Sequence, residues 1–144
     1  NLIIFAHNIW IFLFVALWFQ VPLGWSTLWS IPALFLLLAN GLWVGLLFGL
    51  LSARFRDIPL IIASIVQVMF FITPVIWRPS MLSGRALFLD LNPFYHLVEI
   101  LRAPLLGLAP NPENWIAVLV ITVLGWGLTI FFYTAYRWRV AYWV

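Results

Sequence analysis

Residues 31–51 read IPALFLLLANGLWVGLLFGLL, a run without a single ionisable side chain. A helix rises about 1.5 Å per residue, so this run covers roughly 30 Å, the thickness of a bilayer's hydrocarbon core. A soluble surface helix of that length would carry a polar face, and this one has none. Working outward, three further apolar stretches occupy 2–19, 58–77 and 115–136. The first is broken only by His7 and Asn8. The spacing predicts an all-α integral membrane protein with four transmembrane helices.

Composition leads to the same place. Two thirds of the 144 residues are hydrophobic and 8% are charged, where a globular domain carries about 25% charged residues. Seven arginines, no lysine and four acids cannot cover a water-facing surface. A P-loop ATPase needs a lysine for the nucleotide phosphates, so that function is excluded. The absence of cysteine excludes thiolate metal sites, disulfides and cysteine nucleophiles. The net charge is only +3 and no basic patch interleaves with polar residues, which excludes nucleic acid as a partner. The chain opens at Asn1 in an apolar run with no basic n-region or cleavage site, and the expectation is the C-terminal part of a longer protein.

The connections set the orientation. A short turn at 21–26 joins the first two spans, and Arg54, Arg56 and Asp57 crowd the loop between the second and third. A segment at 78–114 separates the third and fourth, and Arg137 and Arg139 follow the last. With four spans, the Arg54/Arg56 loop and the Arg137/Arg139 tail share a side, which is cytoplasmic under the positive-inside rule. The 78–114 segment is then external, its three arginines offset by Asp90, Glu99 and Glu113. Trp and Tyr at the span ends, among them Trp18, Trp25, Trp29, Trp115 and Trp138, suit interfacial anchoring.

Gly41, Gly45 and Gly49 recur every fourth residue on the second span and let another helix come close. The ladder reads as a packing seam within the bundle, with a hinge or dimer contact as the other possibility, and Asn40 beside it as an interhelical hydrogen-bonding group. On the third span, Ser64, Gln67, Phe70, Phe71, Pro74 and Trp77 follow helical spacing. They suit either a buried contact face kinked at Pro74 or the wall of a conduit. In the external segment, Asn92-Pro93 reads as N-cap and first residue of a short helix ending near Ala103, before Pro104. Phe94, Leu97, Val98 and Leu101 would form its apolar face. His96, Glu99 and Arg102 would form a polar one, with Glu99 able to pair with Arg102. A second short half-helix is expected upstream, around 86–89. His96 and Glu99 are two potential ligands where a zinc site needs three, so the pair reads as a polar face or gate network rather than a metal or catalytic centre.

Residues 52–58 (SARFRDI) lead into a span ending TPVIW at 73–77, followed at 92–107 by NPFYHLVEILRAPLLG. With the tail YRWRVAYWV at 136–144, and more loosely FAHN at 5–8, this order resembles the membrane subunits of ABC-2 type exporters. The resemblance is to the polysaccharide branch, which exports O-antigen, capsule or teichoic-acid chains. It implies a transmembrane permease domain over 1–144, comprising helices three to six of a six-helix permease in the bacterial cytoplasmic (inner) membrane. It also implies a homodimer, a separate cytoplasmic ABC ATPase subunit that binds ATP and Mg2+, and no cofactor on this chain. The cargo would be a lipid-linked polysaccharide among membrane lipids. Gln67, Phe70, Phe71, Pro74 and Trp77 would line the substrate path. Asn92, Pro93, Tyr95, His96, Glu99 and Arg102 would belong to an external gate made of two short helices, and Arg54, Arg56 and Asp57 to a cytoplasmic loop.

Three rivals stay open at this point: export of a drug or small lipid by the same fold, an integral membrane acyl- or glycosyltransferase using His96 and Glu99, and a purely structural anchor. The topology is checked directly by cysteine labelling, since this stretch has no cysteine of its own. Asn111→Cys is expected to react with a membrane-impermeant maleimide on intact cells, and Arg56→Cys only after permeabilisation.

Overall fold

The computed structural model describes residues 2–20, 24–73, 91–109 and 111–140. All regular elements among them are helical: α1 (Leu2–Trp18), a 3-10 helix (Trp25–Trp29), α2 (Ser30–Arg54), α3 (Ile58–Ile72), α4 (Pro93–Leu105) and α5 (Pro112–Val140). Two stretches, Trp25–Arg54 and Pro112–Trp138, are long and apolar enough to cross a membrane. α1 and α3 are shorter, at about 25 Å and 22 Å by helical rise. The 58–77 stretch gives a helix only as far as Ile72, with Thr73 as its extended cap. Pro74 and its kink, Trp77, and the half-helix expected around 86–89 lie outside the described residues.

α2 and α5 run side by side in the same direction. The Asn40 amide donates to Thr122 Oγ1 at 2.8 Å, and further along Thr129 Oγ1 donates to the Trp43 carbonyl at 3.3 Å. The Trp43 indole donates back to Asn40 Oδ1 at 2.8 Å, which fixes the ring across the interface. It lies directly on Gly125, where any Cβ would fall inside the ring. Asn40 is thus the interhelical group the sequence suggests, and its partner is on α5. The glycine ladder is not that interface. A Cβ at Gly41, Gly45 or Gly49 would meet nothing within 4 Å. The close approach is an indole on one glycine of α5, because a flat ring needs a single deep notch rather than a smooth groove.

The parallel pairing brings Arg54 of α2 and Arg137 of α5 to the same end of the pair. At the opposite end α4 lies across both helices. Ala33 of α2, Ile100 of α4 and Val118 of α5 form the buried centre, with Leu36, Leu37, Leu97, Leu101 and Trp115 around them. Trp29 meets Trp115 edge to face, ring centroids 5.5 Å apart, tying the 3-10 helix to α5. α3 turns back after Phe55–Asp57 and touches α2, yet no side chain along its length is buried. α1 stands off too, leaving a cavity of about 520 Å³ between Phe12, Leu37 and the Leu97–Leu106 side of α4.

This distribution predicts opposite effects for two glycine substitutions. Gly125→Ala should lower the melting temperature of the purified protein, with an overpacking cost of roughly 1–3 kcal/mol. Gly45→Ala should leave this fold neutral or stabilise it by up to about 1 kcal/mol, the usual gain of Ala over Gly in a helix interior.

Candidate functional site

The residues with distinctive chemistry gather where α4 meets the ends of α2, α3 and α5. α4 begins as its sequence requires: Asn92 is extended, Oδ1 accepts from the Phe94 amide at 3.0 Å, and Pro93 fills the first turn, where no amide donor is needed. Asn111-Pro112 repeats the arrangement at α5, with Asn111 Oδ1 accepting from the Glu113 amide at 3.0 Å. That second signal stands in the sequence four residues upstream of the predicted span, and α5 accordingly starts at Pro112 rather than Trp115.

The far end of α4 departs from the sequence expectation. The helix does not stop at Ala103 but runs through Pro104 to Leu105. Gly107, at φ 75°, then closes it. The Gly107 amide donates to the Pro104 carbonyl at 3.0 Å and the Leu108 amide to Ala103 at 2.9 Å, the paired bonds of a Schellman motif. Proline is tolerated because it costs only one bond, close to an end where several carbonyls already need other donors.

Burial along α4 also crosses the expected faces: Leu97 and Leu101 pack half-buried against the central cluster, but the most deeply buried positions lie elsewhere. Phe94, Leu97, Val98 and Leu101 are exposed or half-buried, while His96, Ile100, Ala103 and Pro104 are buried. His96, expected on a polar face with Glu99 and Arg102, points inward, and its Nδ1 lies 2.7 Å from Asn114 Oδ1 on α5. With the amide oriented this way, Nδ1 carries the hydrogen and donates to Oδ1. Tyr95 packs edge-on against the His96 ring at 5.4 Å. One turn earlier, Asn92 Nδ2 donates to Thr73 Oγ1 at 3.2 Å, also in a buried setting. α4 therefore carries two buried polar side chains four residues apart, one holding α5 and the other the end of α3.

The other sequence-predicted residues lie apart from this cluster. Gln67 and Phe71 are exposed on α3, and Phe70, also exposed, sits edge-on to Phe71 at 5.8 Å. Ser64 donates to its own Leu60 carbonyl. Arg54, Arg56 and Asp57 lie exposed between α2 and α3, with the Arg54 guanidinium 5.3 Å from the Phe55 ring centroid. Glu99 and Arg102 are half-buried on α4. His7 and Asn8 are exposed on α1. Thr73, Asn114, Thr122 and Gly125 were not singled out by sequence, because each matters only through a partner more than fifteen residues away in the chain.

The family model of the ABC-2 type transporter matches residues 1–106, about three quarters of the chain. The chain belongs to the ABC-2 type transporter family, whose members are membrane subunits of transporters. Searches of curated proteins and of solved structures gave no match.

The His96–Asn114 contact can be measured as a coupling. His96→Leu and Asn114→Leu should each destabilise the purified permease. The double variant should lose less than their sum by roughly 0.6 kcal/mol and at most about 1.7 kcal/mol, the mean and the maximum for hydrogen bonds between membrane helices.

Proposed function

We propose that this chain is the permease subunit of an exporter that moves a lipid-linked polysaccharide across the bacterial cytoplasmic membrane. It works as a homodimer, driven by a separate ATPase subunit that binds ATP and Mg2+. Four spans cross the bilayer, with Arg54, Arg56 and the Arg137 end on the cytoplasmic side. The parallel course of α2 and α5 supports that orientation, since it carries the two basic ends to one side. α4 then lies at the external end as part of the gate.

The observation that carries the reading is the uncovered face of α3. Gln67, Phe70 and Phe71 stand exposed on a helix whose outer end is bonded to α4. Aromatic rings and one amide, without charges, suit a sugar polymer in transit. The C–H faces of sugars stack on rings through weak contacts that release quickly, whereas charged hydrogen bonds would hold each unit. The separate ATPase fits the absence of lysine over these residues, which therefore form no nucleotide-phosphate loop of their own.

The test is reconstitution of the full-length permease with its ATPase partner in proteoliposomes. Polymer should cross only when both subunits and ATP are present, and undiminished export without either sinks the proposal. Movement of small amphiphiles in place of polymer would assign the cargo to a drug or small lipid. Phe70→Ala and Phe71→Ala should each slow export by roughly two- to tenfold, on the scale of about 0.5–1.5 kcal/mol for one aromatic contact, with ATP hydrolysis retained.

A further inference from the structure

Burial divides this molecule unevenly. α2, α4 and α5 share the Ala33–Ile100–Val118 centre and are tied by the Asn40–Thr122, Thr129–Trp43 and His96–Asn114 contacts. α3 buries no side chain from Ile58 to Ile72. Between it and α4 lies an apolar gap of about 140 Å³, bordered by Val66, Met69, Phe70, Thr73, Phe94 and Val98. Among the described residues, α3 therefore meets α4 with little buried apolar contact beside an unfilled gap, and a contact of that kind separates at low cost.

At the end of that gap Thr73, itself buried, accepts the hydrogen bond from Asn92. Among the described residues this is the hydrogen bond that joins α3 to α4. Asn92 is doubly engaged: Oδ1 starts α4 and Nδ2 holds α3. The same side chain thus sets both the first turn of the gate helix and the position of the helix bearing Gln67, Phe70 and Phe71.

We propose that Thr73 and Asn92 form the catch of the gate, positioning residues that hold the outer end of α3 against a rigid body of α2, α4 and α5. Opening is the outward swing of α3 once that bond breaks. The bond is well suited to this work. Its loss leaves two small polar groups to find new partners, and the gap beside it means that little apolar packing must be broken at the same time. The inference rests on the export reading for its purpose, but the motion can be measured without export.

Spin labels at Ile65→Cys on α3 and Leu106→Cys at the end of α4, both exposed positions, report the separation of the two helices by pulsed electron resonance. The full-length protein is assembled with its ATPase partner and diluted with unlabelled protein, so that distances within one protomer dominate. Thr73→Val, which keeps the shape and removes the hydroxyl, should raise the ratio of long to short distances by roughly three- to fifteen-fold. Thr73→Ser should keep the parent distribution. Asn92→Ser retains an N-cap oxygen but not the reach to Thr73, and should behave like Thr73→Val even if that variant folds poorly. Parent-like distances in both Thr73→Val and Asn92→Ser overturn the catch. A shift in distances with a parent complex that exports no polymer keeps the catch and removes the export reading.

Discussion

Asn40 carries an amide in the middle of an otherwise apolar helix, and its partners decide how the rest of the chain packs. An amide left unpaired in an apolar surrounding costs several kcal/mol, so it must find donors and acceptors. One of its hydrogen bonds returns to Leu36 in its own helix, one goes to Thr122 on α5, and its oxygen receives the Trp43 indole. The last two fix rotation and depth together. Once Thr122 is opposite Asn40, Gly125 comes under Trp43, and Thr129 reaches the Trp43 carbonyl. The parallel course of α2 and α5, and with it the shared position of their basic ends, follows from that register.

The tightness of this pair explains the looseness around it. α4 fits across the end of the pair away from Arg54 and Arg137 because Ala33 and Val118 leave space for Ile100, and the His96–Asn114 contact fixes the angle of approach. Among the described residues, α3 has no comparable anchor along its length and meets α4 through one hydrogen bond beside an unfilled gap. In the proposed export cycle this asymmetry lets α2 and α5 keep their register while α3 parts from α4. Among the described residues, buried polar contacts are concentrated in one helical pair and are few on its neighbour.

Much of the helix content was legible in the residues. The four apolar runs appear as helices, and Asn92-Pro93 starts α4 through local chemistry that needs no distant partner. The place of His96 on α4 was not legible, for a physical reason. Periodicity groups His96 with Glu99 and Arg102 on a polar face, opposite Phe94, Leu97, Val98 and Leu101. A histidine is buried at little cost when a partner awaits it, and Asn114 lies eighteen residues on, at the start of another helix. The glycine ladder is a separate case. Regular spacing at Gly41, Gly45 and Gly49 shows that a close approach is possible there, whereas the approach of α2 to α5 depends on the fit of one indole to Gly125.

The sequence by itself determined that lipid must solvate most of this protein, that its spanning segments are helices, and that it carries no nucleotide-phosphate loop over these residues. These properties follow from composition and short-range periodicity, which are additive along the chain. Only the tertiary structure decided which faces meet: Trp43 with Gly125, His96 with Asn114, Asn92 with Thr73. Helical periodicity shows that a face exists, but a contact also requires a complementary shape and an opposite hydrogen-bonding group at the same depth on another helix. That condition belongs to pairs of residues distant in the chain, and folding is what brings them together.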